Sequence, residues 1–323
     1  MTTLVVGGAG YIGGHLVDVL LGRGRQVVVV DDLSTGTAAR VPRDLICIDV
    51  AHPSAVVDLE AVIREFNVRT VVHLAARKDV GESLARPMYY FSQNVSGVAF
   101  VLEAMQRTGV RSLVFSSTAA VYGDVEGASV SEDAGLLPVN PYGESKLACE
   151  WLIRDATRAW PLRAIALRYF NVAGAARREL ADTGGENLVS KAVAAARDGR
   201  EVTVFGDDYD TPDGTCVRDY IHVVDLAEAH VLAVERLEKG SVTGMEAINV
   251  GTGVGASVRE MLEALRRSGI GLRMRAGARR PGDPARVVAD TARAKELLGW
   301  TARHTLEQIA TSAWLAPESR DRG

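Results

Sequence analysis

The stretch TLVVGGAGYIG, residues 3–13, decides the fold. A short β-branched run stands directly before Gly7, Gly10 and Gly13, and an apolar helical pattern follows them. In such a turn Gly7 permits the tight bend, Gly10 lets the backbone approach a pyrophosphate, and Gly13 lets the helix pack closely on the sheet. The free amides at the helix N-terminus then face the phosphates. The stretch therefore predicts a dinucleotide-binding turn.

An acid at the end of the next strand strengthens this prediction. With 32 glycines in 323 residues, a three-glycine pattern of fixed spacing arises by chance roughly 0.3 times per chain and is weak alone. The run QVVVVDD from Gln26 brings Asp31 to a strand end, where a carboxylate suits adenosine ribose hydroxyls and repels a 2'-phosphate. We therefore expect NAD rather than NADP. The competing interpretation is a structural turn with a surface aspartate.

Short β-branched runs alternate with helix-patterned stretches along the chain. The runs are TLVVG, QVVVVDD, DLICIDV from Asp44, TVVHLAA from Thr70, SLVFSS from Ser112 and RAIALRYFN from Arg163. The helical stretches include residues 11–22, 54–66, 95–107 and 142–158. Continuous apolar strands indicate burial on both faces, which requires helices on both sides of the sheet. The pattern predicts an α/β protein with a Rossmann-type doubly wound parallel sheet.

Two stretches depart from this alternation of strands and helices and predict a smaller α/β lobe. Polar turns such as DTGGEN and GDDYDTPDGT surround one helical stretch between residues 175 and 219, and the segment from residue 251 onward is similar. We expect residues 1–174 plus 220–250 to form an NAD-binding Rossmann domain. Residues 175–219 plus 251–323 are then a substrate-binding lobe.

Composition excludes several classes of protein. Hydrophobic residues make up 47% and charged residues 24%, with a formal net charge of −4, so nothing favours nucleic-acid binding. No apolar run approaches the roughly 20 residues that span a bilayer. Cys47, Cys149 and Cys216 lie far apart, which disfavours a disulfide framework or a metal site. We expect a cytoplasmic protein with no metal and no membrane partner.

A tyrosine and a lysine form the second constellation. SSTAAVYG from Ser116 follows a strand, and PYGESK from Pro141 puts Tyr142 and Lys146 four residues apart at the start of a helix, on one helix face. Such a pair arises by chance roughly 0.12 times per chain. A phenol with a pKa of about 10 becomes a base near neutral pH only if positive charge stabilises the phenolate. We expect Lys146 and an oxidised nicotinamide to supply that charge, and Thr118 to relay the proton. The alternatives are a solvated helix pair and a buried strand-end hydroxyl.

The motifs together resemble one family. GGAGYIG, HLAARKDVGES, FSSTAAVYG, NPYGESK, RYFNVAG and DGTCVRDYIHVVDLA follow in the order found in UDP-glucose 4-epimerases, which are extended short-chain dehydrogenase/reductases. The resemblance implies residues that line an NAD site. These match Gly7, Gly10, Tyr11, Ile12, Gly13, Asp31, Asp32, Leu33, Ser34, Thr35, Gly36, Asp49, Val50, Leu74, Ala75, Ala76, Arg77, Lys78, Asn94, Thr118, Tyr142, Lys146 and Phe170.

The same resemblance implies residues that hold a UDP-sugar. They match Lys78, Thr118, Tyr142, Asn171, Asn187, Leu188, Thr203, Val204, Phe205, Arg218, Arg280, Asp283 and Val287. Arginine suits a diphosphate because its guanidinium pairs with two oxygens at once. Either arginine alone would more often be a surface charge. A homodimer through the two long central helices is also implied by the resemblance.

Three features of the sequence leave the identity of the sugar undecided. Arg77 stands where many relatives carry an apolar residue, and Arg177 and Arg178 follow the strand that leads to the substrate lobe. An extra cation near the hexose would favour UDP-glucuronate. Val287 matches a position where a tyrosine restricts N-acetylated sugars in the family and valine leaves room.

The expected reaction is reversible 4-epimerisation of a UDP-hexose, UDP-glucose and UDP-galactose, by transient oxidation at carbon 4 with bound NAD. Tyr142 removes the 4-hydroxyl proton, and the UDP stays clamped while the keto-sugar turns over. A dehydratase needs an acidic pair after the threonine, and Ala119 and Ala120 stand there instead. A decarboxylase or net dehydrogenase fits the motifs less well. An NAD-binding regulatory module is the non-enzyme alternative, although it would be expected to lose Tyr142 or Lys146.

Overall fold

The structure, a computed structural model, describes residues 1–42, 44–125, 127–184, 187–280 and 283–314. The chain divides into two compact units. The first unit comprises residues 1–123, 135–168 and 227–248, and the second comprises residues 124–134, 169–226 and 249–323. The end of the predicted substrate lobe, residues 315–323, lies outside the described residues.

These units differ from the predicted lobes at the boundaries, where residues 169–174, 220–226 and 249–250 fall in the second unit, and in one internal segment. Residues 124–134 were assigned to the Rossmann domain from the sequence but belong to the second unit. The physical reason is backbone pairing, since Val130 N–H donates to Val288 O and Asp290 N–H donates to Val130 O, both at 2.8 Å. A pairing partner more than 150 residues away leaves no trace in the local pattern.

The first unit is built on a seven-stranded sheet. Its strands are β1 (Thr2–Val6), β2 (Gln26–Asp31), β3 (Leu45–Cys47), β4 (Val68–His73), β5 (Ser112–Thr118), β6 (Arg163–Tyr169) and β10 (Met245–Val250). Their order is β10-β6-β5-β4-β1-β2-β3, and the pairs β1–β2, β1–β4, β2–β3 and β4–β5 are parallel. The chain runs outward from β1 through β2 and β3, then resumes beside β1 at β4. This reversal of strand order is the switch point of a doubly wound fold, and the predicted fold class is confirmed.

The helices associated with this sheet are α1 (Tyr11–Gly22), α2 (Ala55–Glu65), α3 (Val80–Ala85), α4 (Pro87–Thr108), α5 (Pro141–Ala159) and α7 (Val223–Glu238). The four helices predicted above are present, but α4 begins at Pro87 rather than near Val95. Proline suits the first turn because its missing N–H has no intrahelical partner there. Every residue of β1 is buried, as are five of the six residues of β2. Burial on both faces explains why these strands read as continuous apolar runs.

The second unit has its own small sheets and core. Its strands are β7 (Asn171–Ala173), β8 (Glu201–Phe205), β9 (Val217–His222), β11 (Gly255–Ser257), β12 (Arg273–Gly277) and β13 (Arg286–Val287). Its helices are α6 (Leu188–Arg197), α8 (Val258–Arg267), α9 (Ala292–Leu298) and α10 (Leu306–Ala313). β9 lies between β11 and β13 and also pairs with β7, while β12 pairs with β8. Val193, Met261, Leu265 and Ile309 bring α6, α8 and α10 into one core.

Candidate active site

The glycine turn after β1 is fixed by close contacts. Gly7 has φ +83°, and a Cβ there would lie 2.5 Å from Ala75 N. A Cβ on Gly13 would lie 2.2 Å from Gly7 O, so α1 rests directly on the turn. A Cβ on Gly10 would meet only Gly7 O, at 3.3 Å. The protein itself therefore requires glycine at positions 7 and 13, while Gly10 keeps a surface open to an approaching ligand.

The start of α1 suits an anion. Gly10 is its N-cap and offers no side-chain oxygen, and the first turn contains no acidic residue. Tyr11 and Ile12 begin the helix here. The amides of the first turn and the positive end of the helix dipole are therefore available to a pyrophosphate. This open cradle fits the dinucleotide that the sequence predicts.

Asp31 organises the adjoining loop. Its Oδ2 accepts the N–H of Ala9 at 2.9 Å, and its Oδ1 accepts the N–H of Leu33 at 2.8 Å. Burial raises the pKa of the Asp31 carboxyl, and these two backbone donors oppose the rise. An ionised carboxylate accepts about four hydrogen bonds, so Asp31 retains lone pairs for ribose hydroxyls. Sequence reasoning gave Asp31 only the ribose and missed its structural bonds.

Further predicted NAD residues follow β2 and β3. Asp32 to Gly36 leave β2, with Gly36 so close to Ala9 that a Cβ would lie 2.9 Å from Ala9 C. Asp49 and Val50 follow β3, where Asp49 Oδ1 accepts the N–H of Ala51 at 2.9 Å. Because these strands are parallel, their carboxyl ends share one edge of the sheet with the glycine turn. This is the edge where α/β proteins bind ligands.

The loop after β4 is held from two sides. Leu74 N–H and Ala75 N–H both donate to Val6 O, at 2.7 and 3.1 Å. Asn94 Oδ1 accepts the N–H of Arg77 at 2.8 Å, and Asn94 Nδ2 donates to Arg77 O at 3.1 Å and to Ser145 Oγ at 2.9 Å. Asn94 was predicted to line the NAD site, and the structure engages its side chain in positioning this loop. Lys78, at the end of the segment, is exposed.

The Arg77 side chain turns toward the loop after β2. Its Nη1 donates to Ser34 Oγ at 2.8 Å, and its Nη2 lies 3.2 Å from Asp32 Oδ2. Sequence reasoning connected Arg77 with a sugar carboxylate. In this structure the guanidinium instead contacts Asp32 and Ser34.

Tyr142 and Thr118 lie together at the end of β5. Asn140 caps α5 by accepting the Gly143 N–H at 2.9 Å, and a Cβ on Gly143 would lie 2.6 Å from Ala120 O. This close approach sets the first turn of α5 against the end of β5. The nearby Thr118 hydroxyl lowers the pKa of the Tyr142 phenol, but burial dominates and raises the pKa of Tyr142 to about 12.

Lys146 has a different partner from the one expected. Its Nζ donates to Ser116 O at 2.8 Å and lies 4.8 Å from the centre of the Phe115 ring. Burial lowers the pKa of Lys146 to about 8. In this structure burial has the larger effect on the pKa of the Tyr142 phenol, and the Lys146 ammonium donates to the Ser116 carbonyl.

A buried ionic network beneath this site was missed from the sequence. Glu150 accepts Arg168 Nε at 2.9 Å, Arg168 Nη2 at 2.6 Å and the Ser117 hydroxyl at 2.5 Å. Arg168 Nη1 also donates to the Tyr122 hydroxyl at 3.0 Å. The network ties α5 to β5 and β6 beside Lys146. The one local signal was the position of Glu150, four residues after Lys146 on the same helix face.

His73 is a second residue that sequence reasoning did not single out. It ends β4, stacks on Phe115 with ring centres 6.1 Å apart, and is 2% exposed. Burial, with the Lys146 charge as the next cause, lowers the pKa of His73 to about 3. It is therefore a neutral imidazole in the packing beneath the Tyr142 and Lys146 site.

Two small clusters gather half of the predicted substrate residues of the second unit. Arg218 Nη1 donates to Pro284 O at 2.8 Å, and Arg218 Nη2 lies 3.6 Å from Asp283 Oδ1. Val287 is the register partner of Arg218 in the β9–β13 pair. In the other cluster the Arg280 guanidinium lies 3.9 Å from the centre of the Phe205 ring.

The remaining predicted substrate residues have local roles or stand apart. Asn187 caps α6 by accepting the Ser190 N–H at 2.8 Å, with Leu188 as the first helical residue. On β8, Thr203 Oγ1 accepts Arg275 Nε at 3.0 Å, and Val204 is buried. Phe170 is buried between β6 and β7, and Asn171 begins β7 half-buried. Arg177 lies 3.7 Å from Glu179, and its side chain is 46% exposed.

Within the described residues, no group of three or more His, Cys, Asp or Glu side chains is arranged to hold a metal ion. In the same ranges, no helix is both long and apolar enough to cross a membrane.

The parallel sheet, its glycine turn with Asp31, and the Thr118, Tyr142 and Lys146 group define an α/β dinucleotide-dependent protein of the extended short-chain dehydrogenase type. The chain belongs to the NAD dependent epimerase/dehydratase family, whose sequence model matches residues 3–251. The resemblance drawn from the motifs is thereby confirmed.

Named relatives are similar over almost the whole chain. The UDP-glucose 4-epimerase of Azospirillum brasilense is 44% identical over 316 residues, which cover 96% of this chain and 90% of the relative. The solved UDP-glucose-4-epimerase of Stenotrophomonas maltophila, with bound NAD and formylated UDP-arabinopyranose, is 40% identical with a TM-score of 0.92 and covers 97% of both chains. The Bifidobacterium longum UDP-glucose 4-epimerase, in complex with NAD+ and UDP, is 37% identical with a TM-score of 0.90, again over 97% of both chains.

Proposed function

We propose that this protein is an NAD-dependent UDP-sugar 4-epimerase that reversibly interconverts UDP-glucose and UDP-galactose. The observation that carries the proposal is the placement of Thr118, at the end of β5, against Tyr142 in the first turn of α5. This pair stands at the same sheet edge as the glycine turn, and Lys146 is buried one helical turn further on. Relatives named UDP-glucose 4-epimerase, which match almost the whole chain, support the same activity.

The residues of the first unit have distinct roles in this proposal. The glycine turn, the N-terminus of α1 and Asp31 hold the dinucleotide. NAD, when bound, supplies a hydride acceptor for carbon 4 of the sugar and returns the hydride later. Tyr142 takes the proton of the 4-hydroxyl, Thr118 hydrogen-bonds the reacting oxygens, and the Lys146 ammonium favours the phenolate.

Burial of Tyr142 determines how much stabilisation its phenolate needs. A phenol with a pKa of about 12 needs roughly 5 kcal/mol of preferential phenolate stabilisation to act near pH 8. One positive charge about 4 Å away supplies roughly 4 kcal/mol at an effective dielectric near 20. We therefore infer that Lys146 and the positive charge of the oxidised nicotinamide together supply this stabilisation.

The second unit supplies the groups suited to UDP. We propose that Arg218 and Arg280 bind the diphosphate, since guanidinium groups pair with two phosphate oxygens. Phe205, 38% exposed on β8, offers an apolar face for the uracil ring. Tight anchoring at the nucleotide leaves the sugar free to turn between the two hydride transfers.

Epimerisation is favoured over dehydration by the residues after Thr118. Ala119 and Ala120 begin a short 3-10 helix there and carry only methyl groups. Neither can protonate a departing 6-hydroxyl. A regulatory role without catalysis is disfavoured because Tyr142, Thr118 and Lys146 remain together in the structure.

Val287 motivates a second substrate. It is the register partner of Arg218 in the β9–β13 pair, and its side chain is smaller than the tyrosine that restricts this position in some relatives. We propose that UDP-N-acetylglucosamine is also accepted. UDP-glucuronate is less favoured, because Arg77 is engaged by Asp32 and Ser34.

The test is to incubate the purified protein separately with UDP-glucose, UDP-glucuronate and UDP-N-acetylglucosamine and to identify the products. We expect UDP-galactose from the first and the 4-epimer from the third. Tyr142→Phe should lower kcat by about 10²- to 10⁴-fold. The matched control is Tyr90→Phe, which removes another buried phenolic hydroxyl, bonded to Glu82 at 3.0 Å, and should leave turnover unchanged. Epimerisation of none of the three sugars would refute the proposal.

We also propose a homodimer formed through α4 and α5. Met88 is 82% exposed, Phe91 38% and Trp151 49%, and large apolar side chains on paired helices are typical of subunit interfaces. Light scattering should give twice the mass of one chain. Phe91→Glu together with Trp151→Glu should yield a monomer, and an unchanged mass would contradict this interface.

A cytoplasmic location completes the proposal. Its support is that Cys47, Cys149 and Cys216 are all free thiols, as is usual in a reducing compartment. Fractionation of the producing cells should recover the protein with cytoplasmic markers.

A further inference from the structure

An arginine bridge joins two loops at the edge of the first unit's sheet. The Arg77 guanidinium donates to Ser34 Oγ at 2.8 Å and lies 3.2 Å from Asp32 Oδ2. Asp32 and Ser34 belong to the loop after β2, whereas Arg77 belongs to the loop after β4. The bridge therefore links two segments that are 45 residues apart in sequence.

The bridge joins the two loops that lie next to the glycine turn. In the sheet, β1 lies between β4 and β2, and the glycine turn follows β1. The loops that carry Arg77 and Asp32 are thus the two neighbours of that turn. The bridge spans the edge of the sheet from one neighbour to the other.

Neighbouring hydrogen bonds hold both ends of the bridge in place. The Arg77 side chain is 19% exposed and that of Asp32 30%, so solvent screens the pair only partly. Asn94 accepts the Arg77 backbone N–H at 2.8 Å and fixes the base of the side chain. On the other loop, Asp32 Oδ1 accepts the Ser34 N–H at 2.9 Å and the Ser34 hydroxyl at 2.6 Å. Both ends are therefore pre-organised, which lowers the entropy cost of the contact.

We propose that Arg77 is a cofactor-retaining residue, whose bridge to Asp32 and Ser34 must open before NAD can leave. The inference rests on the proposed NAD binding. Its physical basis is that both bridged loops carry residues assigned to the dinucleotide, so a link between them raises the barrier to dissociation. Opening the bridge adds to the free energy needed to part the two loops, so the bridge acts on the rate at which NAD dissociates.

The experiment measures NAD release directly. Protein is loaded with radiolabelled NAD, freed of excess nucleotide and chased with unlabelled NAD, and the retained label is followed over time. Arg77→Met keeps the aliphatic stem and should speed release about tenfold. Raised salt should speed release from the wild type and have little effect on the variant.

A simpler electrostatic explanation predicts a different result for Asp32. If Arg77 merely offset the negative charge beside Asp31, then Asp32→Asn would slow release or leave it unchanged. The bridge predicts that Asp32→Asn speeds release, and that adding it to Arg77→Met has little further effect. Asp32→Asn also serves if Arg77→Met fails to fold.

The matched control is Arg86→Met. Arg77 and Arg86 both stack on Tyr89, with guanidinium-to-ring-centre distances of 5.6 and 3.9 Å, but Arg86 pairs with Glu82, four residues away, rather than with the loop after β2. It should release NAD at the wild-type rate. Equal release from Arg77→Met, Asp32→Asn and the wild type would overturn the inference while leaving NAD binding intact. A wild type that retains no label would instead count against the proposed function.

Discussion

Replacement of Lys146 by methionine tests the electrostatics of the site through stability as well as turnover. Burial lowers the pKa of Lys146 from 10.5 to about 8. Between those two values the unfolded chain therefore binds more protons than the folded chain. It follows that the stability of the wild type should rise with pH across this window.

The magnitude follows from the two pKa values. A difference of about 2.5 units corresponds to a cost of about 3 kcal/mol for keeping Lys146 charged in the folded state at pH 7. At pH 9.5 most of the folded protein carries a neutral Lys146, and the cost falls to about 1.5 kcal/mol. Relative to Lys146→Met, the wild type should therefore gain about 2 kcal/mol of stability from pH 7 to 9.5.

The assay is urea unfolding of both proteins, stripped of bound nucleotide, at several pH values. The variant also loses the hydrogen bond to Ser116 O, but that loss shifts its stability by a constant amount and does not alter the comparison of slopes. Turnover of the variant should be nearly abolished, because no ammonium remains beside the phenol. Parallel pH curves for the two proteins would refute the buried, partly neutralised lysine described here.

Three further substitutions examine the packing around the site. Glu150→Leu should lower the free energy of unfolding by about 3–5 kcal/mol because it leaves Arg168 buried without its carboxylate partner, and adding Arg168→Met should restore most of that stability. Urea unfolding measures both variants, and a double variant no more stable than the single one would contradict the network. His73 has a pKa of about 3 against about 6.5 unfolded, so stability should fall by about 2–3 kcal/mol from pH 6.5 to 4.5 as the unfolded chain takes up the proton. His73→Phe should flatten that acid limb, and an unchanged acid limb would reject the assignment. Gly13→Ala forces a Cβ into Gly7 O, so it should lower stability by about 1–3 kcal/mol and weaken NAD binding. The control, Gly22→Ala, places a Cβ with nothing within 4 Å and should be neutral or slightly stabilising. Equal behaviour of the two variants in thermal unfolding and NAD titration would show that the turn is not sterically fixed.

The features that depend on neighbours in sequence were predictable. The glycine spacing, the acid at the end of β2 and the Tyr142 and Lys146 pair are local patterns, each with a physical cost if altered. The strand runs were predictable for the same reason, because burial on both faces leaves an unbroken apolar signature.

The features that depend on tertiary partners were not predictable. Nothing near Arg77 in the sequence indicates that its guanidinium reaches Asp32, and nothing near Glu150 indicates that Arg168 will neutralise it. The choice of Ser116 O by Lys146 depends on the distance between a helix and a strand end. Long side chains select partners only after the backbone has brought them within reach.

The contact between α1 and the turn beneath it also limits how this protein can change over time. Since even a methyl group on Gly7 or Gly13 would collide with main-chain atoms, mutation there offers no gradual path to a different nucleotide preference. Variation has to enter through the rim, at positions such as Asp32, Ser34 and Arg77, where side chains can be exchanged without moving the backbone. An engineer who wants an enzyme that accepts a phosphorylated ribose should therefore replace Asp31, whose carboxylate repels a 2'-phosphate, diversify those rim positions and leave the glycines untouched.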